Sequence, residues 1–139
     1  MFRAEHLDGV EWTESKLAAR LGKAAFKMYE KHPSFSLFYG GEFVAAGGIA
    51  ILWPGVAEAW LIAGPLATQH PMFLHRTVIR LLPALARDSK IHRLQVQVRA
   101  NFAKSHRWVE RLGFEKEAVL RRYGIDGQDM TMYTRFFNA

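Results

Sequence analysis

With 139 residues, half of them apolar, the chain is the size of one ordinary domain and can bury a core without metal or disulfide support. It has no cysteine, which excludes a disulfide framework, a thiolate zinc site and a cysteine nucleophile, and which fits a reducing compartment. The net charge of +6 is unevenly placed: residues 1–70 hold six Lys and Arg against seven Asp and Glu, residues 71–139 thirteen against six. The C-terminal half therefore attracts anions, whether nucleic acid or a polyphosphate cofactor. Met1 to Glu11 lacks the apolar run of a signal peptide, and no apolar stretch approaches the ~20 residues of a membrane span. The expectation is a soluble cytoplasmic protein, one domain over residues 1–139.

In chain order, Leu17, Leu21, Ala25, Met28 and Tyr29 recur at the helical period with polar Lys16, Arg20, Lys23 and Lys27 between them. Thr13 is a candidate N-cap and Pro33 a stop, which predicts a first amphipathic helix. Ser34–Phe38 and Phe43–Leu52 read as strands of a hairpin about Gly40-Gly41. Val56–Ala63, between Pro54-Gly55 and Gly64-Pro65, is a third strand. Leu66–His70 reads as a loop, and Pro71 suits the first position of a second helix. That helix has the apolar stripe Leu74, Val78, Leu81, Leu82 and Leu85, with Pro83 expected to kink or split it. His92–Arg99 alternates strictly, Leu94, Val96 and Val98 on one face and Arg93, Gln95, Gln97 and Arg99 on the other. Phe102–Leu112 is a short helix closed by Gly113. Phe114–Tyr123 and Met130–Phe137 are strands joined through Asp126-Gly127. This order predicts a mixed α/β fold with parallel pairing in mid-sheet.

The segment Ser105-His-Arg-Trp-Val-Glu-Arg-Leu-Gly-Phe114, with Glu117-Ala-Val-Leu-Arg-Arg-Tyr123 and Asp126-Gly-Gln-Asp129 to Tyr133, resembles the last motif of the GNAT (Gcn5-related N-acetyltransferase) superfamily. It is most similar to the branch that acetylates ribosomal-protein N-termini, and the order of elements agrees over nearly the whole chain. The resemblance implies a GNAT fold and acetyl-CoA as co-substrate. It implies that Val56–Ala63 and His92–Arg99 splay apart, with the pantetheine arm in the wedge against the backbone of Leu61, Ile62 and Ala63. The pyrophosphate would lie over the next helix start, near Gln69, His70 and the free N–H groups of Met72 and Phe73. The family's Gln/Arg-x-x-Gly-x-Gly/Ala loop is replaced here by Thr68-Gln-His-Pro-Met-Phe-Leu-His75, without glycine, so Arg76 is expected to carry more of the phosphate binding. The family's general-acid tyrosine falls at Val109. Its asparagine falls at Phe102, which leaves Asn101, one step and about 100° away on a helix, as the nearest cofactor candidate. These departures, with Glu58-Ala-Trp60 and His70-Pro71, are also similar to divergent phage-encoded GNAT-like proteins. That second resemblance implies a catalytically silent, virion-associated protein with phage virion proteins as partners.

Amine acetylation needs a base for the ammonium, donors for the thioester carbonyl and a proton for the leaving thiolate. Glu58 is the only acid between Glu42 and Asp88 and is the base candidate; its plain alternative is a carboxylate keeping a strand end soluble. Trp60, on the same face, would line the acceptor pocket or simply pack in the core. Gln95 and Gln97 on a mid-sheet strand imply a solvent-filled cleft for the acceptor, or else a face that no helix covers. Tyr123 and Tyr133 are the phenols that could protonate the thiolate, against a default of sheet packing. Arg76 and Arg80, one turn apart, reach a phosphate or form a solvated face. His70 and His75 miss the four-residue spacing of a helical metal pair, and no metal is expected. The acceptor expected is a primary amine of a small molecule or protein, with homodimerisation open; nucleic-acid binding rests on charge alone.

Overall fold

The structure is a computed structural model that describes Arg3 and residues 30–138; residues 13–29 of the first predicted helix, expected to run from Thr13 to a stop at Pro33, lie outside the described residues. Gly40 (φ 57°) and Gly41 (φ 83°) take the successive left-handed conformations of a tight hairpin turn and join β1 (Ser34–Tyr39) to β2 (Glu42–Trp53). Gly55 (φ 89°) turns β2 into β3 (Val56–Ala63), and a Cβ there would stand 2.4 Å from the His92 ring. A 3-10 turn over Pro65–Thr68 stands where a plain loop was expected. It leads into α1 (Pro71–Asp88), β4 (Arg93–Arg99), α2 (Ala103–Arg111), β5 (Glu115–Leu120) and β6 (Met130–Phe136).

The six strands form one mixed sheet in the order β1-β2-β3-β4-β6-β5. Only β3 and β4 are parallel, as a strand-helix-strand crossover through α1 requires. Ala45, Ile49, Ala57, Leu94 and Val98 from one sheet face meet Val78, Leu82 and Ala86 of α1 and Val109 and Leu112 at α2 in a single buried cluster. Trp108 Nε1 donates to His75 Nδ1 at 3.0 Å, tying the two helices together.

Two further expectations differ from the structure. Pro83 does not split α1, which is one helix from Pro71 to Asp88. A proline removes one ladder donor and crowds the carbonyl four residues back, but Leu82, Pro83 and Ala86 are buried together and tertiary packing holds the turn. The strand expected to reach Tyr123 ends at Leu120, because Arg122 adopts φ 55° and turns the chain out of the sheet. Among the described residues, no helix is long and apolar enough to cross a membrane.

Candidate functional site

The parallel strands β3 and β4 pair at only three positions, Val56 with Arg93, Ala57 with Leu94 and Glu58 with Gln95. Beyond Glu58 they part, while β3 stays on β2 and β4 stays on β6 along their whole lengths. Which backbone groups face the opening follows from the phase of the flanking ladders. Gly64 N–H donates to Val44 O at 2.8 Å, continuing the β2–β3 register. Gly64, Ile62 and Trp60 therefore turn their peptide groups toward β2, and the alternate residues Leu61 and Ala63 turn theirs toward β4. On the other side Ala100 N–H donates to Asp129 O at 3.0 Å, so Val96 and Val98 bond to β6, and Gln97 and Arg99 face β3. The wedge thus has two strand edges with peptide groups that the sheet leaves without strand partners. One of them, Arg99 O, accepts from His106 Nε2 at 2.9 Å.

A cavity of about 630 Å³ fills the wedge. Leu74, Val78 and Leu82 of α1 and Trp108 and Val109 of α2 make one wall apolar, whereas Glu58, Gln97, Arg99, Lys104 and Ser105 bring polar groups to it. Glu58 is half-buried and has no hydrogen bond or ion pair among the described residues. Its cross-strand neighbour Gln95 is already engaged: Gln95 Oε1 accepts from Arg93 Nε at 3.2 Å. Arg93 in turn is held by both carboxylate oxygens of Glu117, at 2.8 and 2.5 Å, and this contact lowers the Glu117 pKa. The nearby cation is therefore neutralised, and Glu58 stands as the free acid of the cleft.

The other candidates fall in different places. Trp60 and Gln97 line the wedge beside Glu58, as do Leu61, Ile62 and Ala63, but the peptide groups of Ile62 are spent on Ala46. Gln69 is exposed at the end of the 3-10 turn. His70 stacks on Tyr39 with ring centroids 4.0 Å apart, and Phe73 meets Tyr39 edge-on at 5.6 Å. No side chain caps α1, and Leu74 N–H, donating to His70 O at 3.1 Å, is the first to reach back along the helix. That leaves the N–H groups of Met72 and Phe73 at the helix start. Arg76 and Arg80 are exposed, about half a turn around α1 from the wedge-lining Leu74 and Val78. Asn101 is exposed in the turn before α2. Tyr123 is 59% exposed beyond the end of β5 and lines a separate depression. Tyr133 is 3% exposed and its Oη lies 2.8 Å from His106 Nδ1. Burial, with a smaller contribution from Glu110, raises the Tyr133 pKa.

Sequence reasoning missed Lys104, Ser105 and Trp108 as wedge residues. Their spacing on one side of α2 was a usable signal, since residues three and four apart share a helix face.

No protein-family model matches the sequence, and no curated protein does. Solved structures do match. Ard1 from Thermoplasma volcanium superposes with a TM-score of 0.75 at 14% identity, over 99% of this chain and 95% of that one. The fold is the GNAT fold. The ribosomal-protein-S18-alanine N-acetyltransferase of Escherichia coli shares this GNAT fold at a TM-score of 0.65 and 21% identity, over 94% of this chain and 81% of that one. So does yncA from Salmonella typhimurium, solved with its cofactor acetyl-CoA, at a TM-score of 0.70 and 16% identity, over 96% and 83% of the two chains.

Proposed function

We propose that the chain is an acetyl-CoA-dependent N-acetyltransferase whose acceptor is a primary amine of a small molecule or protein. The observation that carries this reading is the parting of β3 and β4 after Glu58, which turns the peptide groups of Leu61, Ala63 and Gln97 into an open cavity. Those groups match an extended amide-bearing arm such as pantetheine: donors and acceptors alternate at strand spacing, between apolar walls. Bound acetyl-CoA supplies the acetyl thioester. The N–H groups of Met72 and Phe73, at the positive end of α1, face the anionic end of such a ligand.

Glu58 acts as the base, taking a proton from the acceptor ammonium on its free carboxylate. Trp60 and Gln97 border the acceptor, Trp60 by apolar contact and Gln97 by hydrogen bonds. Lys104 supplies the cation at the wedge, since Arg99 is already paired with Asp126 and Arg76 lies half a turn away around α1. Tyr123 has no part in this site, and Tyr133, tied to His106, is a packing residue.

The test is release of free thiol from acetyl-CoA with a panel of small amines and peptides. Glu58→Gln should lower turnover about 10²-fold with acetyl-CoA affinity unchanged, the scale of general-base assistance. Binding of acetyl-CoA without thiol release from any amine would favour a second reading, a non-catalytic protein of the same fold. That reading draws on the Tyr39–His70 stack, which covers the α1 start where a glycine-rich loop would lie open; its virion-associated form rests on sequence resemblance alone.

A further inference from the structure

A second depression, of about 740 Å³, lies away from the wedge at the end of edge strand β5 and is lined by Val119, Leu120, Arg121, Arg122, Tyr123 and Asp129. The chain makes it by an unfavoured turn: Arg122 holds φ 55°, a conformation that side chains other than Gly, Asn and Asp rarely take. A set of hydrogen bonds fixes that turn. Arg122 N–H donates to Asp129 Oδ1 at 3.0 Å, Gly124 N–H to Gln128 O at 2.9 Å and Gly127 N–H to Gly124 O at 2.8 Å. The loop is also anchored to the sheet, by Ala100 N–H on Asp129 O and by the Arg99–Asp126 ion pair.

Both acids of the loop are consumed in this work, Asp126 by Arg99 and Asp129 by the Arg122 backbone. The Arg121 and Arg122 guanidinium groups have no hydrogen-bond or ion-pair partner among the described residues. Beside them in the same depression stand Val119, 51% exposed, and Tyr123, 59% exposed. Two free cations next to exposed apolar side chains, on a loop held rigid in advance, form a surface complementary to carboxylates interleaved with an apolar residue. We infer that this depression docks an acidic segment of a partner protein. The aliphatic Val119 favours a peptide over a phosphate backbone, which would gain nothing from it. The inference is independent of the acetyltransferase reading, since the surface lies outside the wedge.

The experiment is fluorescence anisotropy with a labelled eight-residue peptide of Asp and Glu around a central Leu, at 0.15 M salt and without acetyl-CoA. Binding is expected in the micromolar range. The double variant Arg121→Ala with Arg122→Gly should weaken it at least tenfold; glycine accepts φ 55° more readily than arginine, so the loop keeps its shape. Arg107→Ala with Arg111→Ala, on the exposed side of α2, should change it less than twofold. Absence of binding, an equal loss in the α2 variant, or tighter binding of a single-stranded 20-nucleotide DNA than of the peptide would overturn the inference.

Discussion

Which way a peptide group points decides what a residue in β3 can do. Leu61 and Ala63 offer their N–H groups to the wedge, while Ile62 gives its own to β2. Proline removes an N–H, so its effect should alternate along the strand. Ala63→Pro leaves the β2 ladder intact and should weaken acetyl-CoA about tenfold, ~1.4 kcal/mol for one lost contact, with little change in the unfolding midpoint. Ile62→Pro deletes a ladder bond in a buried position and should disrupt the β2–β3 pairing, seen as a loss of cooperative unfolding. Equal effects of the two on cofactor binding, at equal stability, would refute the assigned phase. Alternation of this kind is visible in the sequence only as a two-residue period. Its phase comes from Gly64 bonding to Val44, a contact between strands that no local pattern reveals, which is why Ile62 was grouped with its neighbours.

Between elements, the cleft is framed by contacts that depend on single side chains. His106 joins α2 to two strands: Nε2 faces only the carbonyls of Arg99 and Ala100, at 2.9 and 3.1 Å, and so carries the proton. Nδ1 is then the acceptor for Tyr133 O–H on β6. Burial raises the Tyr133 pKa above its ordinary 10.0, so the folded state keeps the phenol neutral where the unfolded chain would ionise it. The stability this contributes is present below about pH 10 and is lost as pH rises through the higher folded value. Tyr133→Phe should cost about 1–2 kcal/mol at neutral pH, by losing the hydrogen bond and leaving Nδ1 unsatisfied, and should flatten the alkaline limb of the stability profile above pH 10. Denaturant titrations from pH 7 to 11 would check both; an unchanged alkaline limb would mean that another group controls it. The elements themselves were legible because turn chemistry and periodicity agreed, as at Gly40-Gly41, Pro71 and Gly113. The length of β5 was not legible, because it depends on Arg122 being forced left-handed by Asp129 seven residues on.

At the scale of the whole molecule, the sheet order and the single parallel pair place a splayed, partly apolar cleft at the centre, flanked by α1 and α2. The fold was readable from the order of elements and the Leu112-Gly113-Phe114 helix exit. The site was readable in part: Glu58, Trp60 and Gln97 do meet in one cavity, while Arg76, Asn101 and Tyr123 do not reach it. A helix residue's facing depends on how the helix sits on the sheet, and that is a tertiary fact. The central claim is that the wedge takes acetyl-CoA, and calorimetric titration tests it most directly. Acetyl-CoA added to the wild-type chain at neutral pH should bind with a Kd in the micromolar range, about 7–8 kcal/mol, and about tenfold more weakly to Ala63→Pro. No heat at millimolar acetyl-CoA, or binding that Ala63→Pro leaves unaltered, would contradict it.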